Sequence, residues 1–502
     1  MNETFERLRE KLALVSDLNH AAAVLAWDQE TYMPPKGAEA RAQQLATLSK
    51  LAHEFFTSDE IGELLEQLEP QVRDLPYDSF EASLVRVTKR LYERERKIPT
   101  ELVEQLARAT SLGTEAWKQA RKESNFSLFR PHLETILDLT IQKAEALGYE
   151  DHIYDALLDL YEPEMKTSHV KTILDDLREK LVPIVAAIRE APSPDDSFLK
   201  REYDEQKQWD FGLLIIKDFG YDFERGRQDR SAHPFTISFS VNDVRITTRI
   251  QKDFLPTGLF GTLHECGHAL YDQGLDPQLE RTPLASGASL SVHESQSRLW
   301  ENLVGRSRPF WEGYYPKLQE TFPAQLGDVE LERFYRAINK VEPSLIRVEA
   351  DEVTYNLHIM LRFELELQLV ERKLPVSDLP EVWNAKMKEY LGVEPPNDAL
   401  GVLQDIHWSG GAIGYFTTYT LGNLLSAQLF QSAQQDIPDL IEQIRSGRFQ
   451  ELLGWMREKI HKHGRKFPPM ELVRRATGKE LEAESYLEYI RGKYSEIYGD
   501  LP

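Results

Sequence analysis

His264-Glu265-Cys266-Gly267-His268 lies inside a run, Leu259 to Tyr271, whose spacing predicts a helix. Positions i and i+4 of a helix stand one above the other, so His264 and His268 present two imidazoles to one point. Glu265 sits one residue around the helix, close enough to hold a water beside a metal ion without displacing it. Metal-assisted hydrolysis needs this division of labour: neutral nitrogen ligands, an open position for water, and a carboxylate base next to it. Pro256 suits the start of the helix and Gly274 its stop. Leu259, Phe260, Leu263 and Leu270 form an apolar stripe that places the helix in a core.

Downstream, Ser286 to Trp300 reads as a second helix ending near Gly305. Folded back along the first, it brings Glu294 beside His268. His293 is the alternative third ligand. Neighbouring helix positions point about 100° apart, so only one of the pair can face the metal. Glu294 is preferred, giving a His2Glu set, and His293 is left to support a ligand or touch substrate. Zinc suits this set, although cobalt or manganese would also fit it. Cys266, the single cysteine, should point away from the metal and act as a small packing residue.

The chain has 502 residues, 83 acidic against 60 basic, and a formal net charge of −23. That balance argues against nucleic acid and anionic membrane as partners. The stretch Met1 to Arg7 is charged and carries no signal-peptide core, and no apolar run approaches the length of a membrane span. One cysteine excludes an intrachain disulfide and fits a reducing, cytoplasmic setting.

Most of the remainder reads as helix. Phe5, Leu8, Leu12, Val15 and Leu18 follow helical spacing, as do Leu45, Leu48 and Leu51. Thr57-Ser58-Asp59-Glu60 is a capping-box pattern. Amphipathic runs cover roughly 78–96, 100–123, 127–147 and 168–190. Proline-rich breaks fall at Met33-Pro34-Pro35 and at Ala191-Pro192-Ser193-Pro194, with no repeat or flexible linker. A single catalytic domain over 1–502, with lobes, is the expectation. Phe235 to Val241 and Val244 to Ile250, joined by Asn242-Asp243, predict a β-hairpin just before the metal helix. Such an edge could take up a substrate backbone by strand addition.

Further motifs are His233-Pro234-Phe235, Asp243-Val244-Arg245-Ile246-Thr247, His293-Glu294-Ser295-Gln296, Ile346-Arg347-Val348-Glu349-Ala350-Asp351 and Gly401-Val402-Leu403-Gln404-Asp405-Ile406-His407-Trp408. With the histidine motif, and in this order, they make the chain resemble the thermostable carboxypeptidase Taq family of zinc metallocarboxypeptidases over essentially its full length. It looks close to the carboxypeptidases of bacilli. The resemblance implies a mainly α, two-lobed fold with a deep groove, similar to neurolysin and angiotensin-converting enzyme. It implies a homodimer that removes single residues from peptide C-termini, with broad preference and proline disfavoured. Related zinc peptidases carry an Asp four residues after the glutamate ligand. Here that position is Arg298, so a partner for a ligand histidine must come from elsewhere.

A carboxypeptidase must read a free α-carboxylate, which an arginine fork suits. Arg347 and Arg245 are the candidates, with Arg347 preferred and placed on a helical run from Pro343 to Val370. His233, Asp243, His293 and Gln404 are further substrate-contact candidates. His407 with Tyr415 or Tyr419 offers donors for a tetrahedral oxyanion. His461 and His463 read as solvated residues of a basic patch. The rival readings are an endo-oligopeptidase on the same scaffold and a catalytically idle peptide-binding protein. Retention of Glu265 argues against the second, because binding alone needs no base.

Overall fold

A computed structural model describes residues 2–502, with the side chain of Asn2 left out. The fold is mainly α, with one small sheet. The chain divides into two compact units, each assembled from three segments. The first comprises Met1–Arg96, Asp195–Ile338 and Ser426–Glu480; the second comprises Lys97–Pro194, Asn339–Leu425 and Leu481–Pro502. Among the described residues no helix is long and apolar enough to cross a membrane.

In the first unit the N-terminal helices Asn2–Thr31, Asp59–Val72 and Phe80–Lys97 share one apolar core. Phe5, Leu8 and Leu12 meet Ile61, Leu64, Leu65 and Leu68 there, as their helical spacing demands. Ser58 precedes the second of these helices, but it makes no capping-box bond. Its hydroxyl donates back to Phe55 O at 2.9 Å, which competes with capping.

The predicted hairpin forms as β2 (Thr236–Ser240) and β3 (Asp243–Thr248), antiparallel and irregular between Ser238 and Ser240. A third strand, β1 (Gln228–Arg230), pairs parallel to β3 and gives the order β1-β3-β2. Its three residues are too few for a sequence pattern to register. β3 and β2 both pack on the helix Leu255–Gly274, which carries the histidine motif and begins and ends where Pro256 and Gly274 suggest.

In the second unit the helices Thr100–Glu123 and Phe126–Leu147 form a packed pair. The turn between them uses Ser124 at φ 51° and Asn125, whose side chain accepts from Ser127 N at 3.1 Å. The expected helix from Pro343 to Val370 does not form. Residues 347–349 make one 3-10 turn and the helix begins only at Tyr355. Asp351 is the reason: Oδ1 accepts from Val353 N and Thr354 N, both at 2.9 Å, and Oδ2 accepts from Glu342 N and Thr354 Oγ1. The carboxylate starts a new helix instead of continuing an old one.

Candidate metal centre

The helix Leu290–Arg298 begins at Ser289, later than the sequence pattern suggests, with Ser289 Oγ accepting from Val292 N at 3.2 Å. It lies against the histidine helix, so close that Gly267 has no room for a side chain. A Cβ on Gly267 would meet Gln296 O and Ser297 Cα, each at 2.6 Å. Glycine at the fourth motif position thus lets the two helices touch and brings Glu294 onto the histidines.

Glu294 Oε2 lies 3.4 Å from His268 Nε2 and 3.8 Å from His264 Nε2. Among the described residues these three side chains form the cluster whose donor atoms all fall within 4.8 Å of one another. The far side of each group is already occupied. Arg298 Nε donates to Glu294 Oε1 at 2.7 Å, which leaves Oε2 directed at the imidazoles. His264 Nδ1 donates to Glu301 Oε2 at 2.9 Å, and so keeps the Nε2 lone pair available. His268 Nδ1 lies 2.7 Å from His293 Nδ1, while His293 Nε2 lies 3.1 Å from Asp272 Oδ1. With Asp272 accepting from Nε2–H, a neutral His293 accepts from His268, and His268 Nε2 is again left bare. Two nitrogens and one oxygen with open lone pairs, converging on one point, fit a divalent transition metal such as zinc.

The partner that the sequence could not supply for His264 is therefore Glu301. It sits on a π-helical segment, Leu299–Val304, that extends the Glu294 helix and runs to Gly305. The wider turn carries Glu301 onto His264, while Arg298 and Arg306 bracket it at 3.4 and 3.3 Å. Burial pushes the Glu301 carboxyl up, but the His264 hydrogen bond and the two arginines outweigh it and hold the group down at about 2. Burial also acts on Glu294, yet Arg298, His264 and His268 keep it well below the usual carboxylate range. Burial lowers His268, against the pull of Glu294.

Glu265 is buried, and Thr236 Oγ1 of β2 lies 2.7 Å from its Oε2 and 2.9 Å from its carbonyl oxygen. The hairpin thus holds the carboxylate of the residue next to His264 in place. Cys266 is fully buried, as expected of a packing residue. His461 is a correction: it is completely buried, not solvated. Its Nε2 lies 2.9 Å from Gln296 Oε1 and its ring lies against Tyr271. His463, half-buried, places Nε2 3.2 Å from Glu458 O. Arg245, in β3, gives both arms of its fork to Asp243 at 2.8 Å and lies over Trp27 and Phe239. His233, in the turn before β2, is exposed, and its carbonyl accepts from Ser231 Oγ at 2.6 Å.

The second unit gathers the other candidates. Arg347 is buried and donates from Nε and Nη2 to Asp405 Oδ1 at 3.0 and 2.8 Å, and from Nη1 to the Tyr355 hydroxyl at 2.6 Å. Arg362 approaches the other oxygen of Asp405 at 2.5 Å, so two guanidinium groups share one carboxylate. Gln404 Oε1 accepts from Arg347 N at 2.9 Å and from Arg362 Nη2 at 2.8 Å. His407 Nε2 lies 3.3 Å from the Tyr419 hydroxyl, and its ring packs on Tyr415 and Phe416. Its buried Nδ1 makes no hydrogen bond and lies 3.9 Å from Asp405 Oδ1, and burial lowers the imidazole pKa to about 4 despite that carboxylate.

The family model for the carboxypeptidase Taq (M32) metallopeptidases matches residues 7–494. The chain is 46% identical to thermostable carboxypeptidase 1 of Thermus thermophilus, over 99% of each chain. It is 40% identical to carboxypeptidase 1 of Bacillus subtilis, over 97% of each. A solved M32 carboxypeptidase from Deinococcus radiodurans superposes with a TM-score of 0.97 at 42% identity, covering 99% of this chain and all of that one.

Proposed function

Because this chain belongs to the carboxypeptidase Taq (M32) family of metallopeptidases, we propose that it is a zinc-dependent carboxypeptidase releasing single C-terminal residues from peptides. The convergence of His264 Nε2, His268 Nε2 and Glu294 Oε2, each oriented from behind, is the observation that carries this reading. Those three residues would hold the ion, with broad side-chain preference and proline disfavoured in the substrate. A divalent ion bound there supplies Lewis acidity at the scissile carbonyl and makes water more acidic.

Glu265 accepts the proton of the attacking water and returns one to the departing amine. Thr236, hydrogen-bonded to Glu265 Oε2, keeps that carboxylate in one rotamer. His407, with Tyr419 or Tyr415, donates to the oxyanion. Its low pKa keeps the imidazole neutral at pH 7, so it donates through its single N–H. Arg347 pairs with the terminal carboxylate and so fixes which bond is cut. β2, an edge strand beside the motif helix, offers the substrate a backbone partner, with His233, Asp243 and His293 nearby in the same unit. A cytoplasmic homodimer acting on peptides completes the proposal.

One peptide in acid and C-terminally amidated form tests the exopeptidase reading. The acid should lose residues one at a time, while the amide, which brings no negative charge to the buried Arg347 and Arg362 that share Asp405, should be a poor substrate. Equal cleavage of both would support an endo-oligopeptidase instead.

A further inference from the structure

Outside the metal centre, the first unit contains a pocket of about 430 Å³. Leu12, Val15, Ala52, Phe56 and Leu91 supply hydrocarbon to its lining. The charged side chains Arg94, Glu95 and Arg465 line it as well. None of these residues belongs to the motifs of the catalytic reading.

The arginines are under-paired in a chain with an excess of 23 negative charges. Arg465 donates from Nε to Gly287 O at 3.1 Å, and among the described residues no carboxylate pairs with it. Arg94 reaches Glu95 only at 3.4 Å, and its buried Nε has no hydrogen-bond partner. Among the residues that line the pocket, two guanidinium groups meet one carboxylate, which leaves one positive charge in excess in the lining. Burial, with Arg94 and Arg90 close by, pushes the Arg465 pKa down.

We propose that this pocket binds a small amphipathic carboxylate, with the carboxylate on Arg465 and Arg94 and the hydrocarbon against Leu12, Val15 and Phe56. A fork-to-carboxylate pairing uses the planar donors of a guanidinium group. A dianion such as phosphate fits less well. It overbalances the single positive charge, meets Glu95, and gains nothing from the apolar wall.

Calorimetric titration of the full-length protein with 4-phenylbutyrate, acetate and inorganic phosphate tests this. The parent should bind one 4-phenylbutyrate saturably, with acetate and phosphate about tenfold weaker or more. Arg465→Met should weaken 4-phenylbutyrate by at least about tenfold, the loss of one charge-assisted contact. Ser49→Trp, an exposed position on the pocket lining, should block the pocket without touching the arginines, and so decides the matter if the Arg465 variant fails to fold. Arg347→Ala should leave binding unchanged. The proposal is overturned by an absence of saturable binding, by full binding in Ser49→Trp, by loss in Arg347→Ala, or by phosphate binding as tightly as 4-phenylbutyrate.

Discussion

Arg347 and Arg245 each have a carboxylate beside them, but their charge balance differs. Asp243 matches Arg245 one to one. Asp405 serves both Arg347 and Arg362, leaving one positive charge in excess at a buried position. A substrate carboxylate would restore balance there. Arg347→Ala should therefore lower kcat/KM for free-acid peptides by about 10²-fold or more, with little effect on amides. Arg347→Lys should recover only part of the loss, because a point charge cannot reproduce the fork. The check is the acid-to-amide ratio of kcat/KM, which Arg245→Ala should leave unchanged. An unchanged ratio in Arg347→Ala would move terminus recognition elsewhere. At the metal centre, Glu301→Gln keeps the shape but loses the charge that orients His264. Zinc affinity, measured by competition with a chelator, should fall by about 10–100-fold. Affinity equal to the parent's would mean that Glu301 does not tune the ligand.

At the scale of elements, the histidine helix was legible because its ligands, its apolar stripe and both of its ends follow local rules. Glu301 was not, because its position depends on a π segment that changes the register after Arg298. Asp272, Thr236 and His461 were missed for a related reason. Their contacts join elements far apart in sequence, and no local pattern marks them. Gly267 carried a readable signal, a small residue inside a buried helix, whose meaning emerges only when Gln296 O is seen against it. The break in the run after Pro343 was hidden because Asp351 reads as one more polar helix position until its four acceptor contacts are known.

Another element-level contact has a pH signature. Glu366 ties its helix to the loop after His407, accepting from Tyr154 Oη, Trp408 Nε1 and Gly414 N at 2.6, 2.7 and 3.0 Å. Burial outweighs these bonds and raises its pKa to about 7. A folded-state pKa above the unfolded one means that the folded protein holds the proton longer. The stability it contributes is complete below the ordinary carboxyl range and is lost as pH rises through about 7. Glu366→Gln cannot ionise. The parent's Tm should therefore fall relative to the variant's between about pH 5 and about pH 8. A gap that stays constant with pH would contradict the raised pKa.

For the whole molecule, the mainly α class, the hairpin before the metal helix and the family were all readable from motif order and periodicity. The partition into two units, each built from three separate segments, was not, because chain crossings leave no local mark. Metal binding should stabilise the entire fold by mass action. Free zinc a thousandfold above Kd adds about 4 kcal/mol. Chelation should lower Tm, zinc should restore it, and His264→Ala should show neither change.

Metal content and turnover measured together on Glu265→Gln test the central claim most directly. Glu265 is proposed to move protons and His264, His268 and Glu294 to hold the ion, so the two properties should separate. The variant should retain about one equivalent of zinc while kcat falls by about 10²–10⁴-fold or more. Parent-like turnover with zinc bound, or loss of zinc along with activity, would contradict that assignment.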